Sequence, residues 1–176
     1  MKLRSRSGFT LIELLVTIAI IGMLATLFIP SLKGVLTKAQ SAKCAGNLRA
    51  IAGAVQACAL DNDNYYPEIE AMPSNPVYQG RQVNALLAVL GPYGLQEAAL
   101  KCPADMARTT SYFKKEGSSY MWRPLVDTEL VNATKIYRRG REMVVPSSRA
   151  PLASDFTAVH GGRVNVVFAD GHVRMF

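Results

Sequence analysis

Glu13 stands in a run of 21 residues, FTLIELLVTIAIIGMLATLFI at positions 9–29, that holds no other charge. A carboxylate among apolar side chains has few chemical options. In a bilayer it costs up to a few kcal/mol unless it reaches the interface or meets a cation. One reading is that the side chain snorkels to the membrane surface and needs nothing else from the chain. A second follows if the chain is cut between Gly8 and Phe9. The cut exposes an α-amino group four residues from Glu13, and a neighbouring copy could offer its own amine to this carboxylate. In an apolar setting two such groups attract strongly and fix the axial offset between subunits.

The other groups able to do chemistry lie far along the chain. His160, Asp170 and His172, with Asp155 before them, supply two imidazoles and one or two carboxylates, enough for a divalent ion. The competing expectation is a hydrogen bond between His160 and Asp170 that pins a hairpin turn. The cysteines are Cys44, Cys58 and Cys102. The first two are 14 residues apart on one expected helix, roughly 21 Å along its axis, too far to bond to each other. If the head is exported, its compartment permits a disulfide. Cys44–Cys102 is the preferred pair, Cys58–Cys102 the alternative, and free thiols the third case. With no close Cys pair and only two His, zinc ligation is not expected. Asp61-Asn62-Asp63 could open a calcium loop, but the glycine and acid needed at its sixth and twelfth positions are Tyr66 and Met72. That segment is read as a helix end or turn. No nucleophile–base pair or phosphate-cradling glycine loop supports an enzyme.

These groups sit in a chain of 176 residues, 49% hydrophobic and 19% charged. The composition excludes wholesale disorder, and the length suits one domain with an accessory segment. Only the run at 9–29 is apolar and long enough to cross a bilayer, about 31 Å as a helix. Net charge is +7, and Lys2, Arg4 and Arg6 supply three of those charges; the remaining +4 is a weak basis for binding nucleic acid, so none is expected. The basic leader should stay in the cytoplasm while the rest is exported. The apolar run leads into Phe28-Ile29-Pro30 with no small-residue cleavage site after it, unlike a secretory signal.

Past Pro30 the pattern becomes amphipathic. Cys44, Leu48, Ile51, Val55 and Cys58 step by four, three, four and three, one face of a helix. The helix is expected to reach about Leu60, with Pro30 and Gly34 kinking or locally melting it. Residues 61–81 read as a loop, Val83–Leu90 as a short helix ending at Gly91-Pro92, and 103–150 as irregular. Short strands are expected at Ser119–Arg123, Lys135–Arg138 and Glu142–Val145. At the C-terminus, Asp170-Gly171 between β-prone runs predicts a two-residue hairpin turn within 163–176. That register sets Phe168 opposite Val173 and Val166 opposite Met175 on an apolar face, which should pack on the Cys44–Cys58 stripe. Ala169 with His172 and Val167 with Arg174 would occupy the other face.

The leader and Gly8-Phe9-Thr10-Leu11-Ile12-Glu13 with the run behind it closely resemble the start of type IV pilins and type II secretion pseudopilins. Further matches to a pilin-like group with a C-terminal processing-associated signature are Cys44-Ala45-Gly46-Asn47-Leu48, Asp61-Asn62-Asp63, Cys102-Pro103-Ala104-Asp105 and Phe168-Ala169-Asp170-Gly171-His172, with His160 nine residues before Asp170. Cys58 sits where that pattern often has an aromatic. The resemblance implies removal of residues 1–8 by a prepilin peptidase, N-methylation of Phe9, and Glu13 as the acid of the mature helix. It implies an α+β, pilin-like lollipop: a membrane and assembly helix at 9–30, its amphipathic continuation at 31–60, and an exported head at 61–176 with a small antiparallel sheet. It also implies an inner-membrane protein, in contact with lipid, that joins other pilin or pseudopilin copies in a helical filament through an inner-membrane assembly platform. The resemblance implies no cofactor; the divalent cation at His160, Asp170 and His172 is an expectation from the residue types alone. The alternative is a membrane-anchored exported module, metal-binding or enzymatic, that only borrows the leader.

Overall fold

The computed structural model describes residues 9–69, 77–78, 81–82, 86–123, 131, 134–138 and 141–176, without the side chains of 27–33, 77–78, 81–82 and 136–138. The chain divides into two compact units, Met1–Leu36 and Thr37–Phe176. Helix α1 (Leu11–Asp61) is 51 residues long. It runs unbroken past Pro30 and Gly34, so neither melts it. A proline removes one i→i−4 hydrogen bond, and in so long a helix the nucleated turns on both sides persist.

In the first unit the apolar side chains of residues 11–24 are exposed, Ile12, Leu15 and Ile21 among them. Among the described residues no helix is long and apolar enough to cross a membrane. Residues 27–29 of the expected span have side chains outside that set, as does all of the leader through Gly8.

The second unit is built on the amphipathic end of α1. Cys44, Leu48, Ile51, Val55 and Cys58 are each at most 3% exposed and join one apolar cluster with Tyr120, Trp122, Leu152 and Val167. Each aliphatic side chain so buried is worth about 1.5–3 kcal/mol. The helix closes at the Asp61-Asn62-Asp63 turn, where Asn62 Nδ2 donates to the Cys58 carbonyl at 2.7 Å and Asp63 and Asn64 take positive φ.

The remaining elements are short: β1 (Val77–Tyr78), β2 (Arg81–Gln82), α2 (Leu86–Leu90), α3 (Pro103–Met106), α4 (Tyr112–Glu116), β3 (Tyr120–Trp122), β4 (Lys135–Arg138), β5 (Arg141–Val144), β6 (Pro151–Asp155), β7 (Asn165–Phe168) and β8 (Val173–Met175). Strands β3, β4 and β5 lie where the sequence placed strands. Helix α2 falls within the expected Val83–Leu90, residues 83–85 lying outside the described set, and a 3-10 turn (Gly91–Tyr93) follows it. Helices α3 and α4 occupy ground read as irregular, and strand β6 lies in a stretch to which the sequence assigned no element. The order β3-β6-β7-β8 forms a four-stranded antiparallel sheet, with β6 and β7 central. The fold is α+β.

The hairpin forms, but one residue out of the expected register. Val167 pairs with Val173, Val166 with Arg174 and Asn165 with Met175. Asp170 does not take the positive φ of a two-residue turn; only Gly171 does, at 85°. The Gly171 N–H donates to the Phe168 carbonyl and the Phe168 N–H to the His172 carbonyl. This is a three-residue loop with glycine in the left-handed position. A slip of one residue exchanges the faces. Val167, assigned to the polar face, is fully buried in the core with Val173 packed on it, whereas Phe168 stacks on His172 with ring centroids 4.4 Å apart. The predicted contact with α1 is made from this face: Gln56 Nε2 donates to the Ala169 carbonyl at 2.9 Å and Ser41 Oγ to Asn165 Oδ1 at 3.4 Å.

Candidate functional site

At the start of α1, Thr10 and Glu13 satisfy each other. The Thr10 N–H and hydroxyl donate to Glu13 Oε2 at 2.8 and 2.7 Å, and the Glu13 N–H donates to Thr10 Oγ1 at 3.3 Å. This reciprocal arrangement is a capping box, with Thr10 as N-cap and Glu13 three residues on. Glu13 is therefore not the isolated acid expected from the sequence. The signal was present in Thr10-Leu11-Ile12-Glu13, a Thr-x-x-Glu ahead of an apolar run. Both contacts to the carboxylate fall on Oε2. Phe9 is exposed, four residues before the acid.

In the head, a disulfide joins Cys44 on α1 to Cys102 at the start of α3, with Cα atoms 5.3 Å apart. Cys58 is free and buried. Around the disulfide runs a chain of buried polar groups. Asn47 Nδ2, one turn after Cys44, donates to the Lys101 carbonyl at 2.9 Å and to the Tyr120 hydroxyl at 3.0 Å. The Cys102 N–H donates to Ser119 Oγ, and that hydroxyl donates to Asp105 Oδ2 at 2.7 Å. Asp105 also accepts from Ser111 Oγ and from the Tyr112 and Phe113 N–H groups that open α4. Burial raises the Asp105 carboxyl, but the donors from Phe113, Tyr112, Ser119 and Ser111 outweigh it and hold the group below its ordinary range.

His160 sits on the other side of the disulfide. Its Nε2 is 3.6 Å from Cys102 Sγ and 3.4 Å from Asp155 Oδ2, and both side chains are 1% exposed. Asp155 Oδ2 accepts the Asn165 N–H at 2.7 Å. Burial pushes the Asp155 carboxyl up to about 6 against the pull of the Asn165 backbone N–H, with the Asp105 charge adding to the rise. Burial also depresses His160, which is neutral at pH 7. Asp155 Oδ1, His160 Nδ1 and Asn165 Nδ2 are buried with no hydrogen-bond partner among the described residues.

The expected grouping of His160, Asp170 and His172 is divided between two places. His160 meets Asp155 and the disulfide, not Asp170. Asp170 Oδ1 bonds His172 Nδ1 at the half-exposed hairpin tip; burial raises the Asp170 carboxyl, but the side-chain and backbone donors of His172 outweigh it and hold the group below its ordinary range. Among the described residues, the ligand atoms that do converge are those of Cys44, Cys102 and His160, all within 4.8 Å of one another. With both sulfurs in the disulfide and every member buried, this array presents no nucleophile to a substrate.

Residues 3–29 match the family model described as Prokaryotic N-terminal methylation motif. The N-terminal segment is similar to that of the type IV pilin and pseudopilin superfamily. The chain is similar to the Type II secretion system core protein G of Aeromonas hydrophila, 43% identical over 70 residues covering 40% of this chain and 48% of the relative. The protein of the same name from Klebsiella pneumoniae is 41% identical over 63 residues, 36% of this chain and 45% of the relative. That from Vibrio cholerae is 37% identical over 82 residues, 43% and 56%. The chain thus spans about half the length of the curated relatives it matches. No solved structure matches. In this segment the capping box holds the acid at the helix start, beside the positive end of the helix dipole.

Proposed function

We propose that the chain is a structural subunit, a pseudopilin or minor pilin, of a type II secretion or type IV pilus-like filament. Prepilin peptidase removes residues 1–8, and Phe9 is N-methylated. The helix at 9–30 holds the subunit in the inner membrane with the head exported, until an assembly platform passes it into a filament of like copies. The observation that carries this reading is the first stretch of α1: apolar side chains exposed all round, and one carboxylate four residues after Phe9. Such a surface needs lipid or other helices around it. A head-to-tail contact between identical helices, repeated without closing, gives a filament. With Oε2 engaged by Thr10, Oε1 remains to receive the amine of a neighbour.

Two measurements test this. Intact mass of the membrane-extracted protein should show loss of residues 1–8 and gain of one methyl group; a full-length mass would favour the plain anchored module. Cysteines placed in the first turns of neighbouring helices should crosslink under assembly conditions, and Glu13→Leu should abolish the crosslink while leaving insertion intact. Equal crosslinking with and without the acid would overturn the amine-pairing reading.

A further inference from the structure

Two concave surfaces of opposite charge lie near opposite ends of the stretch of α1 that the head packs on. The first is a groove of about 880 Å³ where α1 closes. Tyr65 and Tyr93 give it aromatic walls, and Asp61, Asp63 and Glu68 line it with exposed carboxylates. No Lys or Arg lines it among the described residues. Leu60, next to it in the chain, is 74% exposed. Three like charges around one groove repel each other, and together they attract any cation that enters. Aromatic rings suit a cation on an apolar stem, since the stem packs on the ring and the charge meets its face.

The second surface is a hollow of about 390 Å³ formed by residues 108–112 with Lys114 and Lys115. Arg108, Lys114 and Lys115 are exposed there, and no carboxylate lines the hollow among the described residues. Arg108 donates to Thr157 Oγ1 at 3.0 Å, and Lys115 Nζ is 3.2 Å from Glu116 Oε1. The position of this hollow follows from contacts already described. Asp105 of α3 accepts the N–H groups that open α4, and Cys102, just before α3, is bridged to Cys44. Asp61 ends α1 about 26 Å along its axis from Cys44.

We propose that, in the filament, α4 of one head docks through Lys114 and Lys115, with Arg108 beside them, into the acidic tyrosine groove of the next copy. This inference rests on the filament reading above and adds the head surfaces to it. Three cations meet three carboxylates, and the lysine stems lie against Tyr65 and Tyr93. The contact joins two different patches, so each head keeps one of each for a further copy and the series does not close.

The test uses the full chain under assembly conditions, with Thr110→Cys beside the hollow and Leu60→Cys beside the groove in every copy. A short bismaleimide, which leaves the Cys44–Cys102 bridge intact, should then link heads into a ladder of dimers, trimers and longer products. Lys114→Glu with Lys115→Glu should cut the ladder roughly tenfold or more, because like charges then face each other. Adding Asp61→Lys and Glu68→Lys to that variant should restore it, which also shows that the reversed heads fold. Asp63 is left in place because its φ of 52° suits Asp. A ladder indifferent to charge reversal, a loss that the swap does not restore, or products that stop at dimers would each overturn the proposal. If heads fail to link while the first turns of α1 still crosslink, the docking is wrong and the filament reading stands; if neither links, both fall.

Discussion

Two stretches of one helix obey opposite rules. Residues 11–24 of α1 carry Leu, Ile and Val in every direction and leave them exposed, with their single acid tied to Thr10. Residues 44–58 concentrate their apolar side chains on one stripe and bury it to 3% or less. The head supplies a partner for a stripe, but a helix apolar all round must find its partners in lipid or in other chains. In the head, Asp105 is settled by four donors of its own unit, whereas the apolar side chains around Glu13 are exposed.

The sharpest way to break that contrast is Glu13→Leu. Filament crosslinking should fall to background, while the thermal melting of the head should not move. If the head melted lower as well, the two stretches would not be energetically separate. The reverse experiment is Cys44→Ser with Cys102→Ser. Opening a loop of 58 residues should cost about 4 kcal/mol in the chain-entropy account, lowering the melting temperature by about 10 °C; membrane insertion should be unaffected.

Asp155 sharpens the comparison through pH. Its carboxyl titrates at about 6 in the folded head, above the ~3.9 of an unfolded chain. Between those values the folded state binds more protons, so this stabilisation is complete below about pH 4 and lost as pH rises through about 6. Asp155→Asn removes the loss. Its stability relative to wild type, from urea melts at about pH 4.5 and about pH 7.5, should therefore increase toward the higher pH by about 2 kcal/mol. His160, depressed by burial, works the other way: its contribution is present above ~6.5 and declines as pH falls. A difference between the two proteins that did not change with pH would contradict the assignment. The smallest effect belongs to Thr10→Ala. It removes the N-cap for about 1 kcal/mol of local helix stability, seen as faster amide exchange in the first turn, but leaves the carboxylate and hence the crosslink in place.

Much of this was legible beforehand because it is written in local pattern. The four-three spacing from Cys44 to Cys58 marked the buried face, and the Asp-Asn-Asp turn marked the end of α1. Strand β6 was not legible: Pro-Leu-Ala-Ser-Asp contains no β-branched residue, and its place at the centre of the sheet comes from the neighbours it pairs with. The hairpin was legible as a hairpin but not in register, since Asp-Gly serves two-residue and three-residue loops alike and the burial of Val167 decides between them.

The sequence alone determined the basic N-terminal stretch, the apolar run with its acid, and the periodicity of the helix, because each depends on residues within a few turns of one another. Only the tertiary structure decided that His160 meets Asp155 and the Cys44–Cys102 bridge and not Asp170. That choice rests on contacts between segments as distant as residues 44 and 160. Chain spacing carries no information about such contacts until α1, β6 and β7 have packed and excluded water from between them.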